Sequence, residues 1–207
     1  MDRAQAEALA GGRLPPALYT GWELLSAELL RWSAVHRLTG HADPEAIYLD
    51  LLLDSLSLLP LVEGSTLLDI GSGAGFPGLV LALARPELQV TLLEGRAKKV
   101  SFQKQAVRLL GLAGRVRAVQ GRAGVDLLSE RFDTVTLRAV AGLAESLALA
   151  RPYLALGGVV LLPRGLRDQD QARALGLAVR EYRLPGIKES RIIASYQEWL
   201  RRGRRFT

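Results

Sequence analysis

In this chain an apolar run ends in an acid, passes through alternating glycines and resumes as a second apolar run: Leu67-Leu68-Asp69-Ile70-Gly71-Ser72-Gly73-Ala74-Gly75-Phe76-Pro77-Gly78. That order reads as a buried strand feeding a tight turn that opens a helix. Glycine supplies backbone angles and a close approach that a Cβ blocks. The alternation continues downstream. Residues 66–70, 89–94, 116–120, 134–138 and 159–163 read as strands, and 77–84, 97–110, 143–153 and 167–177 as helices that stop near Gly or Pro. Residues 179–184 and 191–196, split by Pro185-Gly186, read as a closing antiparallel pair. The expectation is an α/β fold with a doubly wound, mostly parallel, seven-stranded sheet. Upstream, Tyr19, Trp22, Leu25, Leu29 and Trp32 mark an amphipathic helix, and Ile47, Leu51, Asp54, Ser55 and Leu58 mark a second after Asp43-Pro44. The predicted organisation is a loose leader over residues 1–13, a helical cap over 14–62, the sheet domain over 63–198 and a basic tail over 199–207.

The glycine turn admits more than one reading. Gly73, Gly75 and Gly78 satisfy the dinucleotide-binding spacing, but the strand has ended by Ile70, which leaves Gly71 and Ser72 surplus. A Gly-rich turn that binds nothing is also common in α/β folds. The alternative takes Gly71, Gly73 and Gly75 as the turn, with Asp69 before it and Glu94 ending the next strand. That pattern resembles the first motifs of class I (Rossmann-like) methyltransferases, which implies S-adenosylmethionine as cofactor and Glu94 at its ribose. A carboxylate suits neutral hydroxyls and disfavours an extra phosphate.

Further pieces recur in order: Arg37-Leu38-Thr39, Leu53-Asp54-Ser55-Leu56, Gly75-Phe76-Pro77-Gly78, Arg85-Pro86-Glu87, Lys98-Lys99-Val100-Ser101-Phe102 and Arg138-Ala139. Over roughly residues 18–197 the chain resembles the bacterial 16S ribosomal RNA (guanine-N7)-methyltransferase family, also called the glucose-inhibited division protein B family. The resemblance implies a cofactor site using Asp69, Gly71, Gly73, Gly75, Phe76, Glu94, Ala123, Gly124 and Arg138, with the adenine near Ala123 and Gly124. It also implies direct in-line attack by guanine N7, which has a lone pair and no proton. No catalytic acid or base is then required, only positioning. Departures fall at Arg37, Leu51, Arg164 and Ile192, mostly at positions expected on the nucleic-acid side of the pocket. They keep open a non-catalytic or altered-substrate RNA-binding member of the same fold.

Charge agrees with an RNA partner, either free ribosomal RNA or the small subunit. The net charge is +6, most cations are arginine, and guanidinium pairs bidentately with phosphate. Arg37, Arg164 and the tail residues Arg201, Arg202, Arg204 and Arg205, interleaved with Trp199 and Phe206, are the candidate RNA contacts. Lys98, Lys99 and Lys104 add to a basic face. His36 and His41 lack acid partners, so no metal site is expected. The absence of cysteine suits a reducing compartment, and no segment has signal or membrane-span character. A monomeric cytoplasmic protein is expected.

Overall fold

The computed structural model describes residues 2–36, 38–40, 43–126 and 128–197. Seven strands form one sheet in the order β3-β2-β1-β4-β5-β7-β6. They are β1 (Thr66–Ile70), β2 (Gln89–Glu94), β3 (Val116–Gln120), β4 (Phe132–Leu137), β5 (Leu154–Gly165), β6 (Ala178–Tyr182) and β7 (Arg191–Gln197). The first five are parallel, and β7 runs antiparallel to both β5 and β6. The chain order reverses between β1 and β4, where open α/β sheets leave a crevice at their carboxyl ends.

Strand alternation sends neighbouring residues into opposite layers. Leu67, Leu92, Leu161 and Ile193 join the core under the N-terminal helices, while Leu68, Leu93, Leu162 and Ile192 join the core on the other face. The first layer holds α2 (Pro16–His36), whose Leu18, Leu25 and Leu29 are fully buried, together with α5 (Gly78–Ala84) and α6 (Ala97–Leu109). Each such leucine contributes about 1.5–3 kcal/mol. The second layer holds α7 (Leu143–Ala150) and α8 (Gln169–Ala174).

Three expectations need correction. The leader is not loose: α1 (Arg3–Ala10) is capped by the Asp2 side chain, which accepts from the Ala4 and Gln5 amides, and it ends on left-handed Gly11. Its Ala6 and Ala10 enter the core, so small size at i and i+4 supplies a packing face. Next, β5 begins at Leu154 instead of Val159. The Gly157-Gly158 pair lies in a bulged stretch of the strand, where the register against β4 shifts from Phe132–Leu154 to Thr134–Val159, and a Cβ on Gly158 would lie 2.7 Å from the Asp133 carbonyl. Finally, the second cap helix is present without a break but is not α-helical throughout: α3 (Pro44–Ile47) passes through a π-helical turn, Tyr48–Leu53, into α4 (Asp54–Leu56).

Candidate functional site

A cleft of about 1220 Å³ lies at the carboxyl ends of the parallel strands. The β1 turn, the 138–143 loop, the π-helical turn and the end of β5 line it.

The turn is held from behind. The Gly71 and Ser72 amides donate to the Leu93 carbonyl at 2.8 and 3.1 Å, and Gln103 on α6 donates to Ser72 Oγ and the Gly73 carbonyl at 2.8 Å. The glycines do different jobs. At Gly71 and Gly75 a Cβ would meet Val140 at 2.5 Å and Leu79 at 2.4 Å, so neighbouring side chains fill that space. Gly73, at φ +59°, meets nothing nearer than Lys99 Nζ at 3.7 Å, which leaves bare backbone facing the cleft.

Asp69 is fully buried beneath this turn. Its Oδ2 accepts from the Gly78 amide at 2.9 Å, and its Oδ1 has no hydrogen-bond partner. Burial pushes its pKa up to about 7, opposed by the Gly78 amide and Arg138 and reinforced by Glu94. Glu94 itself accepts from the Gly73 amide at 3.0 Å and the Arg96 amide at 2.8 Å, which fixes its carboxylate at the end of β2.

On the other side of β1, Ala139 is the one non-glycine residue at positive φ (54°) among the described residues. Such a conformation costs on the order of 1 kcal/mol and survives only where the surroundings impose it. Arg164 helps to impose it. Its Nη2 donates to the Ala141 carbonyl at 3.0 Å and Ser146 Oγ at 2.8 Å, and its Nη1 to the Pro163 carbonyl at 2.9 Å.

The third wall is a cluster of ion pairs that joins the cap to the sheet. Arg138 Nη1, at the end of β4, donates to the Asp50 carbonyl at 2.6 Å and to Asp54 Oδ2 at 3.3 Å. Arg191, opening β7, places Nη1 2.7 Å from Asp54 Oδ1 and Nη2 against Asp50 Oδ1. The Tyr182 hydroxyl donates to Asp54 Oδ1 at 2.7 Å. Burial, and then Asp54, drive the Tyr182 pKa far above its ordinary value; burial opposes the Arg191 charge, but the two carboxylates outweigh it and raise its pKa. The π-helical turn brings Asp50 and Asp54 to the two arginines together; such turns are frequent at functional sites.

Of the residues expected from sequence, Gly71, Gly73, Phe76, Arg138 and Arg164 line the cleft. Phe76 is 4% exposed and packs edge-on to Trp22 at 6.3 Å, so most of its ring is core. Asp69, Gly75 and Glu94 shape the turn without lining the cleft. Ala123 and Gly124 sit at the next strand end, outside the lining, where the Gly124 amide donates to the Tyr153 hydroxyl at 3.3 Å. Of the departures from the family pattern, Ile192 needs correction, because it is fully buried within the sheet, whereas Leu51, 3% exposed, and Arg164 are among the residues lining the cleft. Arg37, Arg201, Arg202, Arg204 and Arg205 lie outside the described residues. Sequence reasoning missed Asp50, Tyr182, Arg191 and Ala139 as cleft residues. The one available signal was a pair of acids, Asp50 and Asp54, spaced i,i+4 within a run of leucines.

A sequence model of the rRNA small subunit methyltransferase G family matches residues 21–194. The chain belongs to that family. Relatives named ribosomal RNA small subunit methyltransferase G agree. The Alkalilimnicola ehrlichii protein is 39% identical over 208 residues, covering 91% of this chain and 94% of its own length. The Chromohalobacter salexigens protein is 42% identical over 175 residues, covering 82% and 83%. The fold also matches solved methyltransferases. The C-terminal domain of precorrin-6Y C5,15-methyltransferase from Rhodobacter capsulatus has a TM-score of 0.53 at 22% identity, over 70% of this chain and 88% of that one. Aeropyrum pernix fibrillarin, solved with S-adenosyl-L-methionine bound, has a TM-score of 0.52 at 17% identity, over 66% and 68%. At those identities the likeness concerns the class I methyltransferase fold alone, and the methyltransferase G family membership rests on the sequence matches.

Proposed function

We propose that this chain transfers a methyl group from S-adenosylmethionine to N7 of a guanine in small-subunit ribosomal RNA, as a monomeric cytoplasmic enzyme. The family match over residues 21–194 carries this reading. Among the described residues, no helix is long and apolar enough to cross a membrane.

The residues at the β1 turn fit this cofactor. The Glu94 oxygens each accept one amide and retain lone pairs for neutral ribose hydroxyls. The bare Gly73 backbone permits close approach, and Asp69, with one partnerless oxygen, sets a second carboxyl beneath the turn near the end of the neighbouring strand β1. Ala123 and Gly124, small residues ending the adjacent strand, are assigned to the adenine. When bound, the cofactor supplies an electrophilic methyl on a sulfonium.

Guanine N7 attacks through its in-plane lone pair and gives up no proton, so the cleft needs no general base. Asp54, which accepts from two guanidiniums and a phenol, is built to hold its neighbours in place. What the cleft contributes is alignment of nitrogen, methyl and sulfur, together with exclusion of water; alignment alone can supply about 7 kcal/mol or more. Arg164 is assigned to holding the 138–142 loop. RNA phosphates are assigned to Arg96, Lys99 and Arg167 at the cleft, with Arg37, Arg201, Arg202, Arg204 and Arg205 as further contacts.

The test is transfer of labelled methyl to ribosomal RNA and to small subunits lacking endogenous modification. Wild-type protein is expected to label a guanine at N7, with Arg138→Ala and Glu94→Ala folded but at least tenfold slower. Cofactor binding with no labelled RNA would replace this reading with the non-catalytic or altered-substrate one.

A further inference from the structure

The cluster joining the π-helical turn to β4, β6 and β7 is more elaborate than anchoring a short helix demands. Two carboxylates, Asp50 and Asp54, face two guanidiniums, Arg138 and Arg191, and all four residues line the cleft. The Asp54 side chain is only 6% exposed and the Arg138 and Arg191 side chains 24% and 27%, so water screens these charges weakly. Among the described residues, the other charged groups of the lining are mostly cations, Arg96, Lys99, Arg164 and Arg167 against Asp168. Unbalanced arginines deep in such a cleft would repel a cationic ligand, and methyl transfer from a sulfonium keeps one positive charge in the cleft throughout. The S–CH3 bond breaks as the N7–CH3 bond forms, and the charge passes from sulfur to the base.

We propose that Asp54, supported by Asp50, is a positioning residue that fixes Arg138 and Arg191 as a charge-neutral wall. The wall lets the cleft present guanidinium donors without opposing the sulfonium or the methylated base. This inference rests on the S-adenosylmethionine reading above. It also gives the cap a role in the reaction, because both acids belong to the cap and both arginines to the sheet.

The readout is the ratio of dissociation constants for S-adenosylmethionine and S-adenosylhomocysteine, measured by calorimetry on the full chain. The two differ at sulfur by one charge, so a general packing defect weakens both alike, whereas an unbalanced charge separates them. Asp54→Asn leaves one guanidinium unmatched and is expected to weaken S-adenosylmethionine relative to S-adenosylhomocysteine roughly fivefold, the size of a unit charge acting over about 8 Å at an effective dielectric constant of about 40. Tyr182→Phe removes a hydrogen bond but no charge, and should leave the ratio unchanged. Arg191→Gln should shift the ratio in the opposite direction, and the double variant Asp54→Asn/Arg191→Gln should return it towards wild type. If Asp54→Asn does not fold, Arg191→Gln alone decides, with a shift towards S-adenosylmethionine as the supporting result. A ratio that stays constant in every folded charge variant overturns the neutral wall while leaving the cofactor reading intact. A wild-type chain that binds neither ligand overturns both.

Discussion

Asp69 meets opposing demands at one position. Its carboxyl ties the end of β1 to the start of α5 through the Gly78 amide, yet it is fully buried with one oxygen unpartnered. Burial raises its pKa from 3.8 to about 7. The folded chain therefore holds this proton between about pH 4 and pH 7 while the unfolded chain releases it. With more protons bound to the native state, stability falls as pH rises through that window. The contribution is fully present below about pH 4 and lost above about pH 7, and three units correspond to about 4 kcal/mol. Asp69→Asn keeps an acceptor for Gly78 and cannot ionise. Its stability relative to wild type should accordingly rise by about 2–3 kcal/mol between pH 5 and pH 8 in urea denaturation. Parallel pH profiles for the two proteins would show that Asp69 ionises in the folded state as readily as in the unfolded chain.

At the scale of elements, α1 rests on its ends. Asp2 caps the helix through its side chain, while its contacts with the Tyr48 hydroxyl come from its own backbone. Asp2→Ala thus removes only the cap, and should cost about 1 kcal/mol in urea denaturation with methyl transfer unchanged. A loss of activity matching the loss of stability would instead mean that α1 helps to shape the cleft. Sequence reasoning missed α1, because alanine at i and i+4 carries too little apolar area to announce a packed helix. Strands β1, β2 and β3 were legible to the residue: β1 and β2 because a parallel strand buried on both faces reads as a near-continuous apolar run, and the half-exposed edge strand β3 because its valines stand between turn residues. The start of β5 was hidden behind Gly157-Gly158, since a bulge and a turn call for the same residue. The π-helical turn leaves no mark in composition: it inserts one residue into a helical period without changing its chemistry. The site divides the same way. The turn glycines were readable because local backbone geometry selects them, and Glu94 through the family resemblance, whereas Arg191 meets Asp54 and Asp50 across 137 and 141 residues, a pairing that only the fold creates.

At the scale of the whole molecule, the net charge of +6 matters less than which cations remain available. Arg138, Arg164 and Arg191 line the cleft, but their guanidiniums serve the protein's own carbonyls and carboxylates. Arg167, with its side chain 91% exposed, has only a 3.9 Å approach to Asp168, and Arg96 is exposed at the start of α6. Arg96 and Arg167 follow β2 and β5, which lie on opposite sides of β1 and β4 in the sheet. At about 4.8 Å per strand, three steps separate them by about 14 Å, with the cleft between. An RNA strand delivering a base into the cleft would pass a phosphate near each. Because a bound phosphate releases condensed counterions, each contact on single-stranded RNA steepens the fall of log affinity with log salt by about 0.7. Arg96→Gln and Arg167→Gln should each flatten that slope by about this amount, raise KM for RNA and leave kcat nearly unchanged. Arg164→Gln should do the reverse: the salt slope stays, while the loop carrying the strained Ala139 loosens and kcat falls. Should Arg164→Gln flatten the slope and the other two leave it alone, the division between structural and phosphate-facing cations would be drawn the wrong way round.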